Sequence, residues 1–186
     1  MSHDDERSYL YAQRFYFLAE QCRNIMQKNL TKTLRDHDLN HSQHLVLLVL
    51  RYAEFSGHDV ISTDIANLLG LEKHSITSVV DKLSDRGLVI RERSMDDRRA
   101  VHLTLTESGR KVAAKVHSDT RGTLADAPHE VRDKFPELCD SLLLLRQHIS
   151  ESSDQPPRFY ERAFQTLIVE GQEAAMRSGR ETDPTP

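Results

Sequence analysis

The fold is decided by the stretch DDRRAVHLTLTESG at residues 96–109. Its middle part alternates apolar with polar residues, the period-two pattern of a half-buried β-strand. Just upstream, residues 88–93 read LVIRER and supply a second strand-forming run. Together the two runs predict a β-hairpin whose exposed loop, residues 94–99, carries the adjacent cations Arg98 and Arg99. A charged hairpin tip of this kind favours contact with a nucleic acid.

Two short helical segments precede the hairpin. Residues 62–69 and 73–85 are separated only by Gly70-Leu71-Glu72, and glycine is available there for a left-handed turn. This spacing predicts a helix-turn-helix. A helix-turn-helix followed by a basic hairpin predicts a winged DNA-binding module.

The charge balance supports a local basic face rather than a basic protein. The formal net charge of the 186-residue chain is -4. Residues 73–115 hold ten Lys/Arg against six Asp/Glu, a balance of +4 that leaves -8 for the remainder. The distribution of charge matters more for DNA binding than its sum.

Cysteine usage and hydropathy indicate the compartment. The two cysteines, Cys22 and Cys139, are far apart, and the N-terminus has no secretory apolar run. The apolar runs are far shorter than the roughly 20 residues of a membrane span. We therefore expect a reduced, cytoplasmic protein with no membrane role and no cofactor.

Several further motifs occur in the order and spacing of one bacterial family. They are Leu39-Asn40-x-x-Gln43, Asp64-Ile65-Ala66-x-Leu68-Leu69-Gly70-Leu71, Val80-Asp81-x-Leu83, Arg86-Gly87-Leu88-Val89 and Asp97-x-Arg99-(five residues)-Leu105-Thr106-x-x-Gly109. With them, residues 9 to about 150 resemble the MarR family of transcriptional regulators. The resemblance implies a mainly α fold with a small β-hairpin wing (α+β), that is, a winged helix-turn-helix domain with a helical dimerisation domain.

The expected organisation follows from helical periodicity and from this resemblance. Residues 1–150 form the regulator, with a DNA-binding lobe at about 41–106 and dimerisation helices at about 9–36 and 107–149. Asn40 and Gln43 are spaced as a capping box that starts a core helix. Thr106 is placed as the N-cap of the helix after the wing, and Gly109 permits a close approach. The family pairs its first and last helices across a two-fold axis.

The C-terminal extension, residues 151–186, exceeds the usual family length. Residues 150–157 have linker composition, a helix is expected at about 157–178, and the last residues, 181–186, are expected to be disordered. Two interpretations stay open: an extra helix that packs on the dimer, or a regulatory or partner-docking element.

The residues expected to contact DNA lie on the second helix of the motif and on the wing. The N-terminal exposed face of a recognition helix enters the major groove, and a hairpin-tip arginine can enter the minor groove. Arg99 matches the family's wing arginine, Asp97 resembles the acidic partner that orients it, and Arg98 is assigned to phosphate. Arg86, Arg91, Arg93 and Lys82 are assigned to phosphate positioning or solvent. The expected contacts are Lys73, His74, Ser75, Thr77, Ser78, Asp97, Arg98 and Arg99.

Other side chains are candidates for sensing an effector, a metal ion or an oxidant. The family places small-ligand pockets where the first two helices meet the winged domain, so Tyr16, His44 and Arg51 are candidates for an aromatic or anionic effector, against an alternative as core-edge polar residues. His37, His41 and His44 cluster without a zinc-binding pattern, and we expect structural or solvated histidines rather than a metal site. An oxidant sensor needs an exposed thiolate, and we favour an inert Cys22.

These observations predict a regulator rather than an enzyme, because the sequence has no phosphate-binding glycine loop, H-E-x-x-H or nucleophile elbow. The expected function is sequence-specific binding of double-stranded DNA by a homodimer at a pseudo-palindromic operator, with repression relieved by a small effector. The alternatives are a winged-helix protein-interaction module, and an oxidant- or metal-sensing regulator.

Overall fold

The structure is a computed structural model, and it describes residues 3–93, 101–120, 126–151 and 164–177. It contains a long helix α1 (His3–Arg35), then α2 (His41–Ser56), α3 (Ser62–Leu69) and α4 (Lys73–Asp85). The strands β1 (Val89–Arg93) and β2 (Val101–Leu105) follow, and then α5 (Glu107–Thr120), α6 (His129–Arg132) and α7 (Phe135–Glu151). A π-helical stretch, Gln165–Val169, continues into α8 (Glu170–Arg177). The mainly α fold with a two-stranded hairpin is confirmed.

The start of α2 shows how local chemistry sets an element boundary. The Asn40 side chain accepts a hydrogen bond from the backbone N–H of Gln43 at 2.9 Å. The Gln43 side chain in turn accepts from the backbone N–H of Asn40, also at 2.9 Å. Two N–H groups that the helix leaves unpaired are thereby satisfied. The predicted capping box is confirmed.

The helix-turn-helix has the bounds that the sequence predicts. Between α3 and α4 the chain turns through Gly70, whose φ of 62° is left-handed and favours glycine. On the inner side of α4, Ile76, Val80 and Leu83 are fully buried. They join α2 and α3 residues in one core, so α4 is fixed along one face and free along the other.

The wing is an antiparallel pair in which Val89 lies opposite Leu105 and Arg93 lies opposite Val101. Leu103 and Leu105 on β2 are buried, as the alternation predicts. The connecting loop, residues 94–100, lies outside the described residues.

The wing is anchored to α5 by a cap and a close backbone approach. Thr106 donates its hydroxyl to the Gly87 carbonyl at 2.7 Å and accepts from the Gly109 N–H at 2.8 Å. A Cβ on Gly109 would lie 2.0 Å from the Leu88 carbonyl oxygen, so only glycine fits. The cap and the close approach are thus both found. The helix ends at Thr120, and its expected continuation towards 124 lies outside the described residues.

The outer parts of α1 and α7 expose apolar side chains. The helix α1 spans 33 residues and begins near residue 3 rather than 9, and only its last turns, with Leu30 and Leu34, reach the core. The large hydrophobic residues exposed on these two helices are Tyr9, Leu10, Tyr11, Phe15, Tyr16, Phe17, Leu18, Ile25, Met26, Leu138, Leu142, Leu144 and Ile149. The apolar stripe expected on the first helix is therefore present and uncovered in the single chain.

The C-terminal helical segment, residues 164–177, packs on α2 of its own chain. Leu167 belongs to the main core and Ala175 is fully buried. Gly171 lies against the backbone of Tyr52, and Glu170 pairs with His58 at 3.0 Å. Phe164 stacks under the guanidinium of Arg146 on α7. The expected linker begins later than residue 150, since α7 continues to Glu151, and both 152–163 and 178–186 lie outside the described residues.

Candidate nucleic-acid interface

The outer face of α4 carries the side chains predicted to read DNA. Lys73, His74, Ser75, Thr77 and Ser78 are all exposed, whereas Ile76 between them is buried. A shallow concavity is lined by Glu72, Lys73, His74, Thr77, Ser78 and Asp81. The helix therefore presents a continuous polar surface at its N-terminal end, where a recognition helix meets base edges.

The N-terminus of α4 is open. Glu72 stands at the N-cap with extended backbone and makes no side-chain capping bond. The first N–H groups of the helix are then available to an anion, and the helix dipole adds positive potential there. Thr77 directs its hydroxyl back to the Lys73 carbonyl at 3.0 Å, which leaves its oxygen as an acceptor for an outside group.

An ion pair ties the wing to α4. Arg91 on β1 contacts the Asp81 carboxylate at 2.5 Å, and it donates to the Thr77 carbonyl at 3.4 Å. Both side chains are more than a third exposed, so the pair contributes little to stability. Its effect is geometric: it holds β1 beside the exposed face of α4. Arg91 is therefore engaged within the protein and does not stand as a free cation.

Arg86 is also engaged within the protein. Its guanidinium donates to the carbonyls of Asp38 and His37, at 2.6 and 3.2 Å. Lys82, by contrast, makes no ion pair within the part of the chain that the structure describes. The sequence pattern led to the same assignment for both cations, phosphate positioning or solvent. Their spacing does not show that Arg86 contacts the carbonyls of residues 37 and 38.

The wing-tip residues Asp97, Arg98 and Arg99 lie outside the described residues. The register of β1 and β2 nevertheless fixes where their loop starts and ends. Arg93 and Val101 face each other at the end of the hairpin, and seven residues connect them.

The three effector candidates, Tyr16, His44 and Arg51, do not form one site in the structure. Tyr16 is 63% exposed on α1, and its ring meets the edge of Phe17. His44 and Arg51 both lie on α2, where His44 is buried and Arg51 stacks over Phe55. Among the described residues, no hydrogen bond, ion pair or ring contact links Tyr16 to either of them.

Burial shapes the chemistry of His44. Burial, together with the smaller effects of the neighbouring His41 and His117, lowers the pKa of His44 to about 4. The imidazole is therefore neutral at pH 7. Two buried polar atoms on α2, the Nε of Arg51 and the Nδ1 of His41, have no hydrogen-bond partner in the described structure.

The remaining sensing candidates have ordinary surroundings. Among the described residues, no group of three His, Cys, Asp or Glu side chains is arranged to hold a metal ion. His37 contacts Asp119 on α5 at 2.9 Å instead. Cys22 and Cys139 are free and exposed in the single chain, so the burial that would make Cys22 inert is not found there. Within the described helices, none is long and apolar enough to cross a bilayer.

Comparison with known proteins agrees with this geometry. A family model described as MarR family matches residues 37–100, the interval that runs from the end of α1 through the helix-turn-helix to the wing. Residues 37–100 belong to the MarR family. Proteins with related sequences include the HTH-type transcriptional regulator Hpr of Geobacillus sp. (strain WCH70), which is 24% identical over 85% of this chain and 78% of Hpr. The transcriptional repressor MprA of Escherichia coli (strain K12) is 29% identical over 53% of this chain and 57% of MprA.

A solved structure of a protein bound to DNA extends the comparison. Reduced AbfR bound to DNA superposes with a TM-score of 0.58 at 25% identity, covering 76% of this chain and 98% of AbfR. The relatives are named as transcriptional regulators and not as enzymes. The chain is a DNA-binding transcriptional regulator with a winged helix-turn-helix fold.

Proposed function

We propose that the protein is a repressor that binds a pseudo-palindromic operator as a homodimer and leaves it when a small effector binds. The observation that carries the DNA-reading part is the open, polar N-terminal face of α4 beside the wing. We assign the base-reading contacts to Lys73, His74, Ser75, Thr77 and Ser78. Because a bidentate arginine contact to guanine is absent from this set, discrimination rests on single polar contacts and on DNA shape.

The wing supplies the minor-groove contact in this proposal. Arg99 enters the groove, Asp97 holds its guanidinium in a fixed geometry, and Arg98 contacts phosphate. A homodimer would place two wings and two recognition helices on half-sites about one helical turn apart. A regulator of chromosomal DNA works in the bacterial cytoplasm, which we propose as its compartment.

The dimer is supported by the uncovered apolar faces of α1 and α7. Large apolar side chains, such as Phe17 on α1 and Leu144 on α7 at 66% and 69% exposure, recur along both helices. Patches of this extent on a single chain mark an interface, because water is excluded from them only when a second surface covers them. A second copy covers like with like under two-fold symmetry.

For the effector we propose an aromatic or anionic molecule near α2. The support is the buried, unpartnered Arg51 Nε and the neutral imidazole of His44 on the same helix. An effector can act by binding one spacing of the two lobes more tightly than the other, which shifts the population away from the operator-matched geometry. Tyr16, exposed on α1, would join this site only across a subunit interface.

The test is salt-dependent binding to the DNA upstream of the protein's own gene, compared with a scrambled duplex of equal length. Specific binding should weaken steeply with salt, because phosphate contacts release counterions. Arg99→Ala should weaken operator binding by roughly 1 to 3 kcal/mol if the wing makes a desolvated contact. Unchanged affinity with an intact dimer would refute the wing assignment, and equal binding to both duplexes without a salt effect would favour a protein-interaction module.

A further inference from the structure

Arg86 follows the last residue of α4 and reaches the turn between α1 and α2, 48 residues away in sequence. Each of its two terminal nitrogens donates a hydrogen bond to one carbonyl, that of Asp38 at 2.6 Å and that of His37 at 3.2 Å. A planar guanidinium suits such a pair of neighbouring acceptors, because its donors diverge at a fixed angle. The contact is therefore directional as well as electrostatic.

The turn that receives Arg86 is itself well defined. At the end of α1, the Leu39 N–H donates to the Leu34 carbonyl at 2.9 Å, and Asp38 adopts a left-handed backbone with φ of 53°. This is the closing pattern of a helix C-terminus, where the last carbonyls lack helical partners and carry partial negative charge. Leu34 and Leu39 are buried, so the turn cannot shift freely. Arg86 thus binds acceptors that need a donor and that are held in place.

The same turn continues to α5 through the side chain of His37. Its Nε2 lies 2.9 Å from Asp119 Oδ2, and the imidazole is only 13% exposed. The hydrogen bond from His37 is the main reason that the pKa of Asp119 lies below its usual value. A continuous set of polar contacts therefore runs from the end of α4, through residues 37 and 38, to α5.

We infer that Arg86 is a positioning residue for DNA recognition, which pins the C-terminal end of α4 to the α1–α5 junction and thereby sets the angle at which α4 meets DNA. The inference rests on the proposed function of α4 in reading bases. The apolar contacts of Ile76, Val80 and Leu83 fix the depth of α4 in the core, but apolar packing is not directional. The two bonds of Arg86 supply direction at one end, and the Arg91–Asp81 pair holds the wing alongside.

The experiment compares Arg86→Ala and Arg86→Lys with Lys82→Ala in the full-length protein. Lys82 is the matched control, since it lies in the last turn of α4 close to Arg86 in sequence, is exposed and has no ion pair in the described structure. If Lys82 binds a phosphate, Lys82→Ala should lower operator and scrambled-DNA affinity together and reduce the salt slope by about 1. Arg86→Ala should instead weaken operator binding roughly tenfold, leave scrambled-DNA affinity within about twofold, and keep the wild-type salt slope.

Arg86→Lys separates charge from geometry. Lysine keeps the positive charge but carries it as a point and cannot span two carbonyls at fixed angles. If Arg86 positions α4, the lysine variant resembles the alanine variant. If Arg86 contacts phosphate, lysine restores wild-type binding, and that result overturns the inference.

A readout without DNA keeps this inference distinct from the proposed function. In both Arg86 variants, amide hydrogen exchange should accelerate at the 37–39 turn and at the C-terminal end of α4, while exchange in α2 stays unchanged because the protein remains folded. Unchanged exchange at both places overturns the inference, whatever the DNA result. If exchange changes as expected while wild-type protein shows no sequence preference on any operator duplex, it is the proposed function that fails.

Discussion

Replacing Gly171 with alanine tests how tightly the C-terminal helical segment is seated. In the structure, a Cβ at residue 171 would lie 2.4 Å from the carbonyl oxygen of Tyr52 and 2.7 Å from its Cβ. Tyr52 is buried in α2, so its backbone cannot retreat into solvent. The substitution therefore requires α8 to move away from α2.

The expected change in stability is opposite in sign to the change that helix propensity alone predicts for glycine to alanine. In an exposed helix interior, alanine is more stable than glycine by about 1 kcal/mol. Overpacking a close contact costs typically about 1 to 3 kcal/mol, and moving α8 also loosens Leu167 and Ala175, which are buried in the same segment. We expect Gly171→Ala to weaken the docking of residues 164–177 by about 1 to 2 kcal/mol.

Hydrogen exchange of the full-length protein measures this directly. A change of that size should speed exchange of the α8 amides about 5- to 30-fold, with α3 and α4 unchanged. Glu173→Ala is the matched control, because Glu173 is exposed on α8 and makes only a surface ion pair with Arg177. If Gly171→Ala instead slows exchange or raises the unfolding temperature, α8 does not lie against Tyr52 as described.

Three further substitutions or conditions test other parts of the fold. Gly109→Ala places a Cβ 2.0 Å from the Leu88 carbonyl oxygen and should cost about 1 to 3 kcal/mol in urea unfolding; a stabilised variant would contradict the close approach. Thr106→Ala removes the cap of α5 and should cost about 1 kcal/mol, most of which Thr106→Ser should recover in the same assay. The folded-state pKa of His44, about 4, lies below its ordinary value of 6.5, so the unfolded state takes up the proton first as pH falls. The contribution of neutral His44 to the free energy of unfolding is therefore fully present above pH 6.5. It should fall by about 3 kcal/mol between pH 6.5 and pH 4, and His44→Gln should reduce this decrease.

The elements that sequence patterns predicted well are those fixed by nearby residues. The bounds of α3 and α4 follow from Gly70 and from the apolar spacing of Ile76, Val80 and Leu83. The capping box of α2 involves residues three apart, and the hairpin follows from period-two alternation. In each case the deciding contact lies within a few residues, so the sequence itself contains it.

Other features depend on contacts between distant residues. Arg86 looks like one of several cations near the wing, and its acceptors lie 48 and 49 residues earlier. Helical periodicity predicted a C-terminal helix. It could not predict that Gly171 lies against the backbone of Tyr52, because the position of a glycine in a sequence does not indicate which distant residue it contacts. His44 shows the same limit: its pKa follows from burial among α2 and α5 residues, which spacing along α2 does not reveal.

The charge pattern explains how an acidic chain can bind DNA selectively. At physiological ionic strength, exposed charges are screened beyond about 8 Å, so a phosphate near α4 responds to the nearby cations more than to the net charge of -4. Part of that positive set is already bound within the protein: Arg91 by Asp81, Arg110 by Glu54, and Arg86 by two carbonyls. Fewer unpaired cations then remain among the described residues to hold DNA of arbitrary sequence, and we expect non-specific binding to be weak. On the proposed function, we expect affinity to come instead from fitting α4 and the wing to one site, so that recognition depends on the orientation of α4 rather than on added positive charge.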